Sequence, residues 1–368
     1  MKRWNRVSLA IAGLALLLTA CGGSAAVTSG PPRLIVGALH VGSVKDAGYN
    51  EAQHAGLAKL MANVSGIKLL EAENIPEGPD AERVMEDMIR QGAKLIFPQS
   101  FGYQDFALNV AKKYPDVKFE HPAGYKSADN FGTYWASSHD LSYLLGVAAG
   151  KETKTNKLGF VAGFPIPQIL ATVNAFHEGA RSVNPNVTTH AVFNGSWVDP
   201  GKEATATNAL ADEGVDVVTM VVDSPITVVQ TAEKRGIHSI GYHYSGVSQF
   251  APKGWISGVT FEWGDMFTQF ANDTIAGTWK SQSLLPGLGS GTVKLADWGK
   301  SVPQDVKDQV ATEQNAFLAG TRHVFQGPVY DQQGKLRIKS DEITTPAAEG
   351  NFINTDDWLA QGVIGQTK

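Results

Sequence analysis

From Leu34 onward, short β-type runs alternate with longer amphipathic stretches, a pattern that restricts the chain to parallel sheets covered by helices on both faces. LIVGAL (34–39) predicts a buried strand, followed by a helix over Tyr49–Ala62 and a second strand, KLLEAE (68–73). In Asp80–Gln91, Val84, Met85, Met88 and Ile89 share one helical face, with Asp80 as the predicted N-cap and Gly92 as the stop. KLIFP (94–98), a helix around Asp105–Lys113, VKFEH (117–121) and FGTYW (131–135) continue the series. The pattern then begins again, with helices at Leu141–Ala149, Gln168–Ser182, Ala204–Glu213 and Ile226–Lys234 and strands at 157–163, 189–193, 215–222 and 237–242. One doubly wound sheet rarely absorbs so many units, so two α/β lobes are predicted, with the break at Trp135–Asp140. Such folds bind ligands beyond the carboxyl ends of their strands, here in the cleft between lobes.

The chain has material for two full cores: of 368 residues, 43% are hydrophobic and 18% charged. Its net charge of -5, from 31 basic against 36 acidic residues, argues against a nucleic-acid partner. A single cysteine excludes an internal disulfide framework and any multi-cysteine metal centre. That cysteine closes a lipoprotein-type leader: Lys2, Arg3 and Arg6, the apolar run Val7–Leu18, then Leu18-Thr19-Ala20-Cys21. The expected product is an extracytoplasmic protein cut before Cys21, diacylated there, and held to the cell membrane by a flexible tether over 21–32. No later segment carries the roughly twenty apolar residues of a spanning helix.

Enzyme signatures are missing at motif level. There is no GxxxxGK[ST], HExxH or GxSxG. PGLGSGT (286–292) lacks dinucleotide-loop spacing and reads as a loop, and His177-Glu178 reads as a solvated pair on a helix. Neither a cofactor nor a metal is expected. The predicted strand ends carry aromatic residues beside small polar ones: Asp46, Tyr49 and Asn50; Ser100, Phe101 and Tyr103; Trp135; Phe164; Trp197 and Asp199; Asp223; His243 and Ser245; Trp263. Flat rings with a few directional polar groups suit an unsaturated heterocycle or a sugar ring. Each ring alone fits core or lobe packing better than ligand contact, and their recurrence at successive strand ends is what points to a ligand.

Several stretches carry a family resemblance: DAGYN (46–50), QSFGY (99–103), FEHPAGYK and NFGTYW (119–135), KLGFVAGFPIP (157–167), NAFHEGARSVNP (174–185), WVDPGKE (197–203), IGYH (240–243) and GPVYDQQGK (327–335). With these, the chain resembles the basic membrane protein (BMP) family of ABC-transporter substrate-binding lipoproteins, of the purine nucleoside receptor type. The resemblance implies a type I periplasmic-binding-protein fold, a hinge of three crossovers, a purine stacked between aromatic rings, and delivery to a membrane permease. It implies first-loop contacts at Asp46, Tyr49 and Asn50, a ring at Phe101 or Tyr103, and another at Trp197 followed by Asp199. Two departures bear on the ligand. Ser245 stands where nucleoside-binding relatives carry an aspartate for ribose hydroxyls, and GVTFEWG (258–264) lacks their lysine. Buried sugar hydroxyls would then lack strong partners, so the expected ligand is a bare purine base resembling adenine, hypoxanthine, guanine or urate. A nucleoside or another planar heterocycle is the alternative.

Two other function classes are compatible with the same cleft. An exported nucleoside-cleaving enzyme would use Asp46, Asp199 and Asp223 as acid and base, but no activated nucleophile accompanies them. A sensor lipoprotein would read the same closed state. The expected lobes are 33–136 with about 247–284, and 137–246 with part of 285–368; a receptor that closes freely is expected to be a monomer.

Overall fold

Residues 31–340 and 356–367 are described by a computed structural model. The expected leader, Cys21 and residues 22–30 of the tether lie outside the described residues. Strands β1 (Leu34–His40), β2 (Ile67–Ala72), β3 (Leu95–Gln99), β4 (Lys118–Pro122) and β5 (Phe131–Tyr134) alternate with helices α1 (Tyr49–Asn63), α2 (Pro79–Arg90) and α3 (Gln104–Lys113). After the chain crosses over, α4 (His139–Glu152) leads into β6 (Lys157–Ala162), α5 (Pro167–Val183), β7 (Thr188–Phe193), α6 (Pro200–Asp212), β8 (Val217–Val221), α7 (Ile226–Arg235), β9 (His238–Gly241) and β10 (Trp255–Phe261). The remaining elements are α8 (Gly264–Ala276), β11 (Ser283–Leu284), β12 (Val293–Leu295), α9 (Gln304–Leu318), β13 (Val329–Tyr330), β14 (Leu336–Ile338) and β15 (Val363–Ile364).

The first sheet is ordered β11-β5-β4-β3-β1-β2 and is parallel throughout. The second is ordered β12-β10-β9-β8-β6-β7-β15, with only β12 antiparallel. Without the short edge strands, both units wind in the same sense, with the second strand outside the first and the third to fifth following on the other side. A parallel sheet needs helices on both faces, which is why β3, β8 and β10 are buried along their whole lengths. Local chemistry sets the helix ends. In α2, Met85 and Met88 face the core, and Gly92 at φ +98° turns the chain out. Its N-cap is Gly78, with Pro79 opening the helix, so Asp80 lies inside the first turn, where its charge favours the positive helix end.

Three segments pass between the sheets: Trp135–Ser138, Glu262–Trp263, and 285–292, which contains the PGLGSGT loop. Sheet membership corrects the expected lobe boundaries in one place. Residues 247–261 do not belong with the first lobe, because β10 pairs with β9 and β12 in the second sheet. Only after Trp263 does the chain return, where α8 packs on α1 through the Lys59–Asp265 ion pair (2.9 Å) and the Asn63–Thr268 hydrogen bond (3.2 Å).

The segment at 356–364 straps the second unit. Asn174 of α5 donates to Asp356 Oδ2 and to the Trp358 carbonyl (both 3.0 Å) and accepts from the Ala360 amide (2.7 Å), and β15 extends the sheet beside β7. The same strap overturns the solvated reading of His177-Glu178. His177 is fully buried, donating from Nε2 to the Gln361 carbonyl and accepting at Nδ1 from Thr189, and burial pushes its pKa down to about 4. Glu178 is largely buried beside it, with Arg181 3.7 Å away.

Candidate ligand-binding site

The carboxyl ends of strands from both sheets converge on a small cavity. Tyr49, Ser100, Phe101 and Ala123 come from the first unit, Trp135 from the first crossover, and Ile166, Gln168, Ile169, Trp197, Val221, Asp223 and His243 from the second. Seven of the residues singled out from sequence line it: Tyr49, Ser100, Phe101, Trp135, Trp197, Asp223 and His243. Tyr49 meets His243 edge-on (5.3 Å between centroids) and tilts over Trp135 (6.2 Å), while Trp197 is braced edge-on by Phe164 at 5.0 Å. A Cβ on Gly163 would lie 2.6 Å from Cε3 of Trp197, so the bare glycine backbone forms the bed on which the indole rests.

The polar groups in the wall are few and uncommitted. Among the described residues, none hydrogen-bonds the side chains of Tyr49, Gln168, Trp197, Asp223 or His243. Asp223 is buried, and desolvation together with the neighbouring acids Asp46, Glu77 and Glu203 holds its pKa well above the usual carboxylate range. Burial also pushes His243 down to about 3, which leaves a neutral imidazole, and its φ of +75° places it in the left-handed region that a bulky residue seldom occupies. Local strain concentrated in a cavity wall marks a position whose geometry is fixed by its surroundings.

The other seven residues are placed elsewhere, each with a physical reason. Asp46 spends its carboxylate on the amides of Gly48 (2.8 Å), Asn50 (3.0 Å) and Glu51 (3.0 Å) and on Asn50 Nδ2 (2.7 Å), organising the start of α1. Asn50 is fully buried and turned inward, its Oδ1 accepting from the Gly42 amide. Tyr103 is buried and donates to the Ile75 carbonyl. Asp199 caps α6 by accepting from the Lys202 amide (3.0 Å), and Phe164 supports Trp197 from behind. Ser245 is exposed at the start of a short 3-10 turn, and Trp263 is core, stacked on Phe261 at 5.2 Å and 11°. Residues at the N-terminus of α5 complete the wall: Gln168 and Ile169 follow directly after the FPIP stretch, and that position was their one sequence signal.

The two units also touch across the cleft. The Tyr49 amide donates to the Asp223 carbonyl (2.8 Å), and Gly48 is so close that a Cβ there would lie 2.1 Å from that carbonyl and 2.3 Å from Pro225 Cδ. Behind Trp135 lies a second, wider space, which shares Ala123, Trp135, Gln168, Ile169 and Val221 with the first and adds Ser138, Thr172 and Tyr242.

Comparison with known proteins fits this geometry. The chain is 38% identical over 335 residues to a purine-binding protein of Brucella abortus, covering 89% of this chain and 95% of that one. A putative ABC transporter glucose-binding protein of Haloferax volcanii is 36% identical over 252 residues, covering 68% of this chain and 64% of its own length. A solved solute-binding protein of an ABC transporter system from Aeropyrum pernix superposes with a TM-score of 0.67 at 20% identity, over 78% of this chain and 92% of that one. Residues 34–322 match the Bmp family, described as PnrA-like ABC transporter substrate-binding proteins. The chain, with its two parallel-sheet units and ligand cleft, belongs to that family of extracytoplasmic solute-binding proteins.

Proposed function

We propose that this protein captures a purine base between its two lobes and presents it to an ABC permease, held near the membrane by a lipid on Cys21. The observation that carries the reading is the wall itself: Tyr49, Phe101, Trp135 and Trp197 supply rings from both lobes and the crossover around the polar ends of Asp223, His243 and Gln168, which have no hydrogen-bond partner among the described residues. Aromatic faces hold a heterocycle by stacking, and a few fixed donors and acceptors read its edge. Among the described residues no activated nucleophile lines the cavity, which supports a reading of binding without chemical transformation. The 38% identical relative is named a purine-binding protein, which supports the same class. A nucleoside is the second reading, favoured by the hydroxyl-lined space behind Trp135, which could take a sugar.

The stacking role is tested at Trp197. In calorimetric titrations with adenine, Trp197→Ala is expected to weaken binding about fivefold or more, as a ring contact worth about 1 kcal/mol or above requires, with Trp197→Phe staying near the native value. An alanine variant within twofold of native would remove Trp197 from the site.

A further inference from the structure

The cavity has a charge character that its shape alone does not reveal. No lysine or arginine lines it among the described residues. Lysines on the adjoining segments sit in solvent: Lys126, paired with Asp105 at 2.6 Å, Lys202, 3.8 Å from Asp199, and Lys45 beside Asp46 are all exposed. The charged groups whose fields reach Asp223 are Asp46 on the first loop, Glu77 in the turn before α2, and Glu203 on α6, all acids. Tyr49 feels Asp223 and Glu77 in the same sense, and His243, the one basic group in the wall among the described residues, is held neutral. An anion entering this cleft would therefore lose its hydration, make it harder still for the acids around Asp223 to ionise, and find no positive charge in compensation.

Resting on the purine reading above, we infer that the cleft selects its ligand by charge: it admits neutral purines and rejects purines that carry a negative charge, with Asp223 as the residue that enforces the choice. In neutral bases a ring or exocyclic N–H can donate to the Asp223 carboxyl group. A purine anion and an ionised Asp223 cannot share the desolvated site, so an anion enters only together with a proton. This narrows the range of bases the sequence suggested, removing urate, an anion at neutral pH, and separating xanthine, which ionises near neutrality, from hypoxanthine, which does not.

The test is a titration of the mature protein, stripped of carried ligand by unfolding and refolding, with adenine, guanine, hypoxanthine and urate at pH 6, 7 and 8, on the native chain and on Asp223→Asn. Urate is expected to bind at least about 100-fold more weakly than adenine at pH 7, and the gap is expected to widen as pH rises and Asp223 gives up its proton. Asp223→Asn should flatten that pH dependence and bring urate within about tenfold of adenine. Native protein that binds urate within tenfold of adenine overturns the inference alone. Failure of every neutral purine to bind overturns the purine reading and this inference with it. The native pH series decides between these outcomes even if the variant does not fold.

Discussion

Replacing Gly48 with alanine is expected to weaken ligand binding at least about 100-fold without unfolding the protein, because it acts on lobe closure and not on the cleft wall. The added Cβ would stand 2.1 Å from the Asp223 carbonyl and 2.3 Å from Pro225, both on the opposite lobe, where no flexible side-chain end can give way. It would also break the Tyr49–Asp223 backbone hydrogen bond that joins the lobes. With the lobes apart the same methyl group meets neither obstacle, so the cost falls on the closed state only. A ligand that needs the closed state then sees its affinity reduced by the fraction of molecules that can close. Circular dichroism should be unchanged, titration should show the loss, and solution scattering with ligand present should show a larger radius of gyration than native. Native affinity in Gly48→Ala would mean that the lobes need not meet at this point to hold a ligand.

The second large effect lies in the first sheet, far from the ligand. Glu120 on β4 is fully buried; its Oε1 accepts from Trp279 Nε1 (2.7 Å), Oε2 has no partner among the described residues, and Gly132 is its register partner on β5. Desolvation raises its pKa to about 8. The folded chain therefore keeps a proton that the unfolded chain has lost, so the stability contributed by this group is complete below the ordinary glutamate pKa. It drains away as pH rises, by about 4 kcal/mol at pH 8. Glu120→Gln carries no charge to desolvate. It should match native stability within about 1 kcal/mol at pH 5 and exceed it by about 3 kcal/mol at pH 8. Glu203 and Asp356, raised to about 7, and Asp140, raised to about 6, tilt the curve in the same direction, so the difference between variant and native isolates Glu120. Urea unfolding at both pH values measures it, and parallel curves for the two proteins would show that Glu120 is ionised in the folded state.

The strand and helix pattern was legible because each βα unit buries a continuous apolar run and a periodic helix face, and both periods survive in sequence. The β10 assignment failed for a related reason: WISGVTF looks the same whichever sheet it joins, and only pairing with β9 and β12 decides the lobe. Edge strands of two or three residues, such as β11 and β15, have no period to read. In the site, rings at strand ends were visible, but carboxylates were ambiguous. Asp46 and Asp199 each precede a helix, where an acid that binds backbone amides and an acid that binds a ligand have the same sequence appearance. Asp223 differs only in having no amide to cap, which is a property of geometry. Trp263 misled because a crossover passing through the core carries the same aromatic density as a cleft wall.

The claim on which the rest depends is that the cleft holds a purine. Its most direct test is a thermal-shift and titration panel on the stripped protein with adenine, guanine, hypoxanthine, adenosine, inosine and glucose. A base at about 100 times its dissociation constant should add about 2.7 kcal/mol of stability, seen as a rise of several degrees in Tm, with nucleosides weaker and glucose without effect. Silence across every purine, or a response to glucose alone, would contradict the account.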